Sequence, residues 1–111
     1  MVVLFDNSTP RTLARYLLER HTITEARARG WGRLENGDLL NAAEAAGFEV
    51  FVTADRNLSY QQNLTTRKIA IVVLGKGRWG LIKPHVAAVV AAVNAATPGS
   101  FAEVDIPNKT M

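Results

Sequence analysis

Val2-Val3-Leu4-Phe5 opens the chain with an unbroken apolar run. A run without polar alternation predicts a strand covered on both faces. It stops at Asp6-Asn7-Ser8-Thr9-Pro10, where Ser8 or Thr9 can cap a helix and Pro10 suits its first turn. Leu13, Tyr16 and Leu17 recur at helical spacing and predict a helix to about Arg20. Thr22-Ile23-Thr24 alternates as a short strand, and residues 26–34, rich in Arg and Gly, read as a loop. Asn36-Gly37-Asp38 opens a second helix with Leu39, Leu40, Ala43 and Ala46 on its apolar side and Gly47 as a natural C-cap.

Phe48 to Thr53 is the next strand and ends at Ala54-Asp55. Residues 56–66 are polar and read as a turn and a short helix. Ile69 to Leu74 is the most hydrophobic segment and predicts a central strand; Gly75 to Gly80 reads as a loop. Pro84 begins a third helix, His85 to Ala96, broken by Pro98-Gly99, and Phe101 to Ile106 alternates like an edge strand. Strands alternating with helices predict an α/β domain whose central, mostly parallel sheet is flanked by helices in three layers. No repeat, linker or low-complexity tract divides residues 1–111, so one domain is expected.

Composition narrows the class. The 111 residues are 48% hydrophobic and 21% charged, which suits a globular chain rather than a disordered one. The absence of Cys removes a disulfide framework, a thiol nucleophile and Cys-ligated metal sites. No apolar run approaches the roughly 20 residues of a membrane span. The N-terminus lacks the basic segment of a signal peptide, so a cytoplasmic location is expected.

The net charge of +3 conceals a pattern. Residues 1–33 carry six Arg and three acids, residues 34–55 five acids and no base, and residues 56–83 six bases and no acid. An acidic middle is flanked by two basic segments. Solvated faces explain any one segment; together they suggest carboxylates set among phosphate-attracting side chains.

In parallel α/β sheets, ligands collect beyond the carboxyl ends of the strands. Asp6 and Asp55 each follow an apolar strand, and Asp38 lies in the first turn of the helix leading into the second of them. Each acid has a structural explanation. Asp6 can close the turn before Pro10, Asp38 suits the positive end of a helix dipole, and Asp55 can form an Asx-turn with Asn57. Convergent carboxylates, however, are what hard divalent ions require. A metal so held can activate water and steady the leaving oxygen of a phosphodiester.

These residues resemble the short PIN-like proteins, a reduced branch of the PIN-domain ribonuclease superfamily. The resemblance rests on Val3-Leu4-Phe5-Asp6, on Asp38-Leu39-Leu40-Asn41-Ala42-Ala43, and on Thr53-Ala54-Asp55-Arg56-Asn57-Leu58. It covers about residues 2–74 and extends at the level of fold to the whole chain. It implies an Mg²⁺- or Mn²⁺-dependent endoribonuclease, often a homodimer and often the toxin of a toxin–antitoxin pair. The catalytic and metal residues would be Asp6, Asp38 and Asp55. The chain departs from the family in two places. Asn57 and Leu58 replace the second acid and the Phe of the third block, and the central Glu is missing unless Glu35 substitutes. Asn7, Glu35 and Asn57 are then supporting candidates. The same departures define an alternative, a catalytically degenerate module that binds RNA or a protein partner without cleavage.

Arg11, Arg56, Lys76 and Arg78 are the candidate phosphate-binding residues. Gly75-Lys76-Gly77-Arg78-Trp79-Gly80 matches G-x-G-x-x-G, but the next helix is expected only at Pro84, which argues against a dinucleotide site. Trp79 and Trp31 can each stack on a base or pack into the fold, and packing is favoured. His21 and His85 lack ligand spacing. Asn7 stands where a haloacid-dehalogenase-type phosphatase needs a second Asp. A phosphotransfer receiver built on Asp55 lacks the paired acids expected after the first strand.

Overall fold

A computed structural model describes residues 1–56, 58 and 67–107. Five strands form one all-parallel sheet: β1 (Val2–Phe5), β2 (Thr22–Glu25), β3 (Val50–Thr53), β4 (Ala70–Val73) and β5 (Phe101–Glu103). Their spatial order is β2-β1-β3-β4-β5. Among the described residues three α-helices accompany them: α1 (Asn36–Ala45), α2 (Trp79–Ile82) and α3 (Val86–Asn94). The chain is thus an α/β fold, as the alternation predicts. The expected turn and helix over residues 56–66, with Asn57, lies almost wholly outside the described residues.

The apolar runs behave as doubly covered strands do. Val3, Phe5, Val50, Val52, Ala70, Val72 and Leu74 face one side, where they pack with Leu13, Leu17, Ile82, Val89 and Val93. Leu4, Phe51, Ile71 and Val73 face the other, with Ala26, Leu39, Leu40, Ala43 and Leu58. Successive strand residues point to opposite faces, so each strand feeds both cores. Burying each of these Val, Leu, Ile and Phe side chains stabilises the fold by about 1.5–3 kcal/mol.

Several boundaries differ from the expected ones. The helix expected to reach Arg20 is a 3-10 helix over Arg11–Tyr16. This segment must descend the length of β1 before β2 begins. A 3-10 helix rises about 2.0 Å per residue against 1.5 Å for an α-helix, so it covers that drop in fewer residues. The loop expected over residues 26–34 begins with a 3-10 turn, Ala26–Arg29, ended by Gly30 at φ 77°. Helix α2 starts at Trp79, inside the expected loop. Strand β5 stops at Glu103 rather than Ile106 because its partner Val73 is the last residue of β4.

Candidate functional site

All five strands end at one edge of the sheet, and that edge collects the polar residues that follow them. Between β1 and β3 the order reverses: the chain leaves β1 for β2, then crosses back over β1 to reach β3. The two connections lie on opposite faces, since Leu13 and Leu17 join one core and Leu39 and Leu40 the other. A crevice at such a reversal is where open α/β sheets bind ligands. Asp6 follows β1 and Asp55 follows β3, so both stand at this crevice. Asp38, exposed, lies in the first turn of α1, which starts from the same edge after β2. Glu35, also exposed, is the N-cap of that helix.

Asp6 is buried, with 9% of its surface exposed. Its Oδ1 accepts from the Ser8 amide (3.1 Å), the Ser8 hydroxyl (2.7 Å) and the Thr9 hydroxyl (2.9 Å). Its Oδ2 accepts from the Thr53 hydroxyl at 2.5 Å. Thr9 Oγ1 also lies 2.9 Å from the Val52 carbonyl oxygen, so its one proton is divided between two acceptors. The hydroxyls work in both directions. Ser8 Oγ accepts from the Ala54 amide and Thr53 Oγ1 from the Asp55 amide, each at 3.0 Å. A continuous chain therefore runs from the Asp6 carboxylate through the Thr53 hydroxyl to the backbone of Asp55. Sequence reasoning passed over Ser8, Thr9 and Thr53 in these roles. The signal was Thr53, a polar residue closing an otherwise apolar strand.

The oxygen donors suit a hard divalent ion, which commonly takes one or two protein carboxylates and fills its shell with water. Among the described residues Asp6 Oδ2 accepts one hydrogen bond, from the Thr53 hydroxyl, which in turn accepts from the backbone amide of Asp55. Asp6 and Asp55 are the two acids that this link joins, and they would be the protein ligands of such an ion. Among the described residues no three His, Asp or Glu side chains gather closely enough to hold a metal ion, so Asp38 is on the right edge but not drawn into a closed cage.

The basic rim divides into engaged and available cations. Arg11 Nε is 3.1 Å from Glu25 Oε2, and Arg56 Nε is 3.5 Å from Glu103 Oε1. The Arg29 guanidinium lies over the Trp31 ring at 4.8 Å. Trp31 in turn meets Phe48 edge-on at 6.0 Å, and Trp79 packs on Tyr16 at 5.5 Å and against the other core. Both tryptophans therefore pack within the fold, as favoured from sequence. Lys76 and Arg78 remain without an ion pair among the described residues, as do Arg27 and Arg33, which sequence reasoning did not single out.

The opposite edge of the sheet holds a cavity of about 340 Å³ lined by Met1, Phe48, Lys68, Ala96 and Pro98 among others. Beside it Glu44 accepts from Arg67 at 2.6 Å and from the Lys68 amide at 3.0 Å. Burial pushes the Glu44 carboxyl up, but these bonds and the Arg67 charge outweigh it and hold the group below its usual value. Among the described residues no helix is long and apolar enough to cross a membrane. No family model, curated protein or solved structure matches the chain.

Proposed function

We propose that the chain is a ribonuclease that cleaves RNA phosphodiesters at the crevice between β1 and β3, with Mg²⁺ or Mn²⁺ held chiefly by Asp6 and Asp55 and approached by Asp38. The observation that carries this reading is the bonded chain from Asp6 through Thr53 to Asp55 at the point where strand order reverses. The ordered likeness of Asp6, Asp38 and Asp55 to the PIN-like pattern supports the same reaction class. A bound divalent ion would supply an activated water and neutralise charge on the leaving oxygen. The chain's own residues would hold Asp6 in one rotamer through Ser8, Thr9 and Thr53, and attract phosphate through Lys76 and Arg78. A cytoplasmic setting, a homodimer and a cognate antitoxin belong to the same proposal.

One observation favours a second reading, a module that binds RNA or a protein partner without cleaving. The four hydrogen bonds on Asp6 already account for its burial, so the residue has a structural reason to be there without a metal. A single experiment separates the two. Purified protein is incubated with labelled RNA in Mg²⁺, in Mn²⁺ and in EDTA, beside D6N, D38N and D55N variants. Metal-dependent cleavage lost in D6N and D55N supports the ribonuclease. Metal-independent binding with no cleavage by the wild type supports the module.

A further inference from the structure

The loops on either side of the crevice both meet the same short turn, one through a hydrogen bond and one through a close backbone approach. On the β2 side, Asn7 Nδ2 donates to the Gly32 carbonyl oxygen at 2.7 Å. A Cβ on Gly32 would come within 3.7 Å of Arg27 Cβ, so Arg27 stands directly beside this pin. On the β4 side, Gly77 lies so close to Ser8 that a Cβ there would sit 2.7 Å from the Ser8 carbonyl oxygen. Only a glycine permits that approach. Lys76 and Arg78 flank it. Two adjacent residues, Asn7 and Ser8, thus bring two cationic loops to one turn, Asn7 by a hydrogen bond and Ser8 by close packing.

Other cations without an ion pair among the described residues, such as Arg15, Arg20, Lys68 and Lys83, lie outside these two loops. Arg11, Arg56 and Arg67 are ion-paired, and Arg29 stacks on Trp31. Arg27, Arg33 and Arg78 are exposed, Lys76 is partly so, and none of the four has an ion-pair partner among the described residues. We propose that a single RNA strand crosses the sheet edge over Asn7 and Ser8, its phosphates gripped by Arg27 and Arg33 on one side and by Lys76 and Arg78 on the other. This rests on the reading of RNA as the ligand and adds where the strand lies and which side chains hold it. The strand would pass over Asp6, bringing a phosphodiester to the crevice. Next to Arg78, the Trp79–Tyr16 pair, with Tyr16 45% exposed, offers a ring face for an unpaired base. That feature favours a single strand over an acidic protein surface.

The test is binding of a fluorescein-labelled single-stranded RNA dodecamer, read by anisotropy in EDTA so that no cleavage intervenes, across a KCl series. The proteins compared are wild type, R27Q/R33Q, K76Q/R78Q and the quadruple variant, with R20Q at the far end of the sheet as control and circular dichroism confirming the fold of each. Each removed phosphate contact lowers the slope of log affinity against log salt by about 0.7, so each pair should flatten it by about 1.4 and the quadruple by about 2.8. R20Q should leave it unchanged. Slopes unaffected by either pair, no binding by the wild type, or poly-glutamate competing as well as unlabelled RNA would each overturn the clamp. Cleavage in Mg²⁺ is scored separately. Clamp variants that bind like wild type sink only the clamp, whereas intact binding with no cleavage under any metal sinks only the nuclease reading.

Discussion

Thr53 is fully buried and carries a hydroxyl, a combination the fold tolerates only because both sides of that hydroxyl are used. It donates to Asp6 Oδ2 and accepts from the Asp55 amide. Thr53→Val keeps the shape and removes both bonds, one of them to a carboxylate that burial has already desolvated. A hydrogen bond to a charged group contributes about 1.5–3 kcal/mol, so the variant should lose about 2 kcal/mol of stability. Thr53→Ser keeps the hydroxyl and drops one methyl, a change of about 0.8 kcal/mol. Urea denaturation checks the pair: the midpoint should fall further for Val than for Ser, with the slope unchanged in both. Equal losses would mean that the Asp6 carboxylate does not depend on this donor. The same ranking in RNA cleavage would tie the bond to the reaction as well as to the fold.

At the scale of elements, the far edge of the sheet has its own electrostatic fastener. Glu44, near the end of α1, is bonded to Arg67 and to the Lys68 amide just before β4, so it joins helix to strand. Its carboxyl is held below the value of 4.5 that it would have in an unfolded chain. The stabilisation is therefore complete above about pH 4.5 and is lost as pH falls through the lower folded value. Melting curves from neutral pH to about pH 3 should show a steeper decline for wild type than for E44Q, whose amide does not titrate. Parallel declines would remove Glu44 from the acid sensitivity.

The elements also differ in how legible they were. Val2–Phe5, and the cores of the strands ending at Thr53 and Val73, stood out because burial on both faces requires unbroken apolar runs. The order of strands did not, because right-handed crossovers allow several orders and pairing is set by contacts far apart in sequence. Leu13, Tyr16 and Leu17 suggested an α-helix because four-residue spacing does not distinguish a 3-10 helix that must span a fixed drop. The aspartates at strand ends were visible one by one. Their surroundings were not, since whether Arg11 finds Glu25, or Arg56 finds Glu103, depends on which strand ends become neighbours. Arg27 and Arg33 escaped notice for the same reason: the Asn7–Gly32 bond that draws their loop to this turn joins residues 25 apart in sequence.

The whole molecule consists of two cores that share one sheet. Val3 and Phe5 serve one and Leu4 the other, and the same alternation holds along β3 and β4. Neither core can dissolve without exposing the back of strands that the other still needs, and a domain of this size has only about 5–15 kcal/mol in total stability. The two faces should therefore unfold together. The tryptophans report on them separately, because Trp31 packs against the α1 face and Trp79 against the face that carries α2 and α3. In W31F the remaining fluorescence reads the second face, and in W79F it reads the first. Within each variant, the urea midpoint by fluorescence should match that by far-ultraviolet circular dichroism, the signature of a two-state transition. A fluorescence midpoint below the dichroism midpoint in W79F alone would show the α1 face loosening first. Asp38 rides on that face, whereas Asp6 and Asp55 are anchored to the central strands, so such a split would separate the third acid from the other two before the sheet itself gives way.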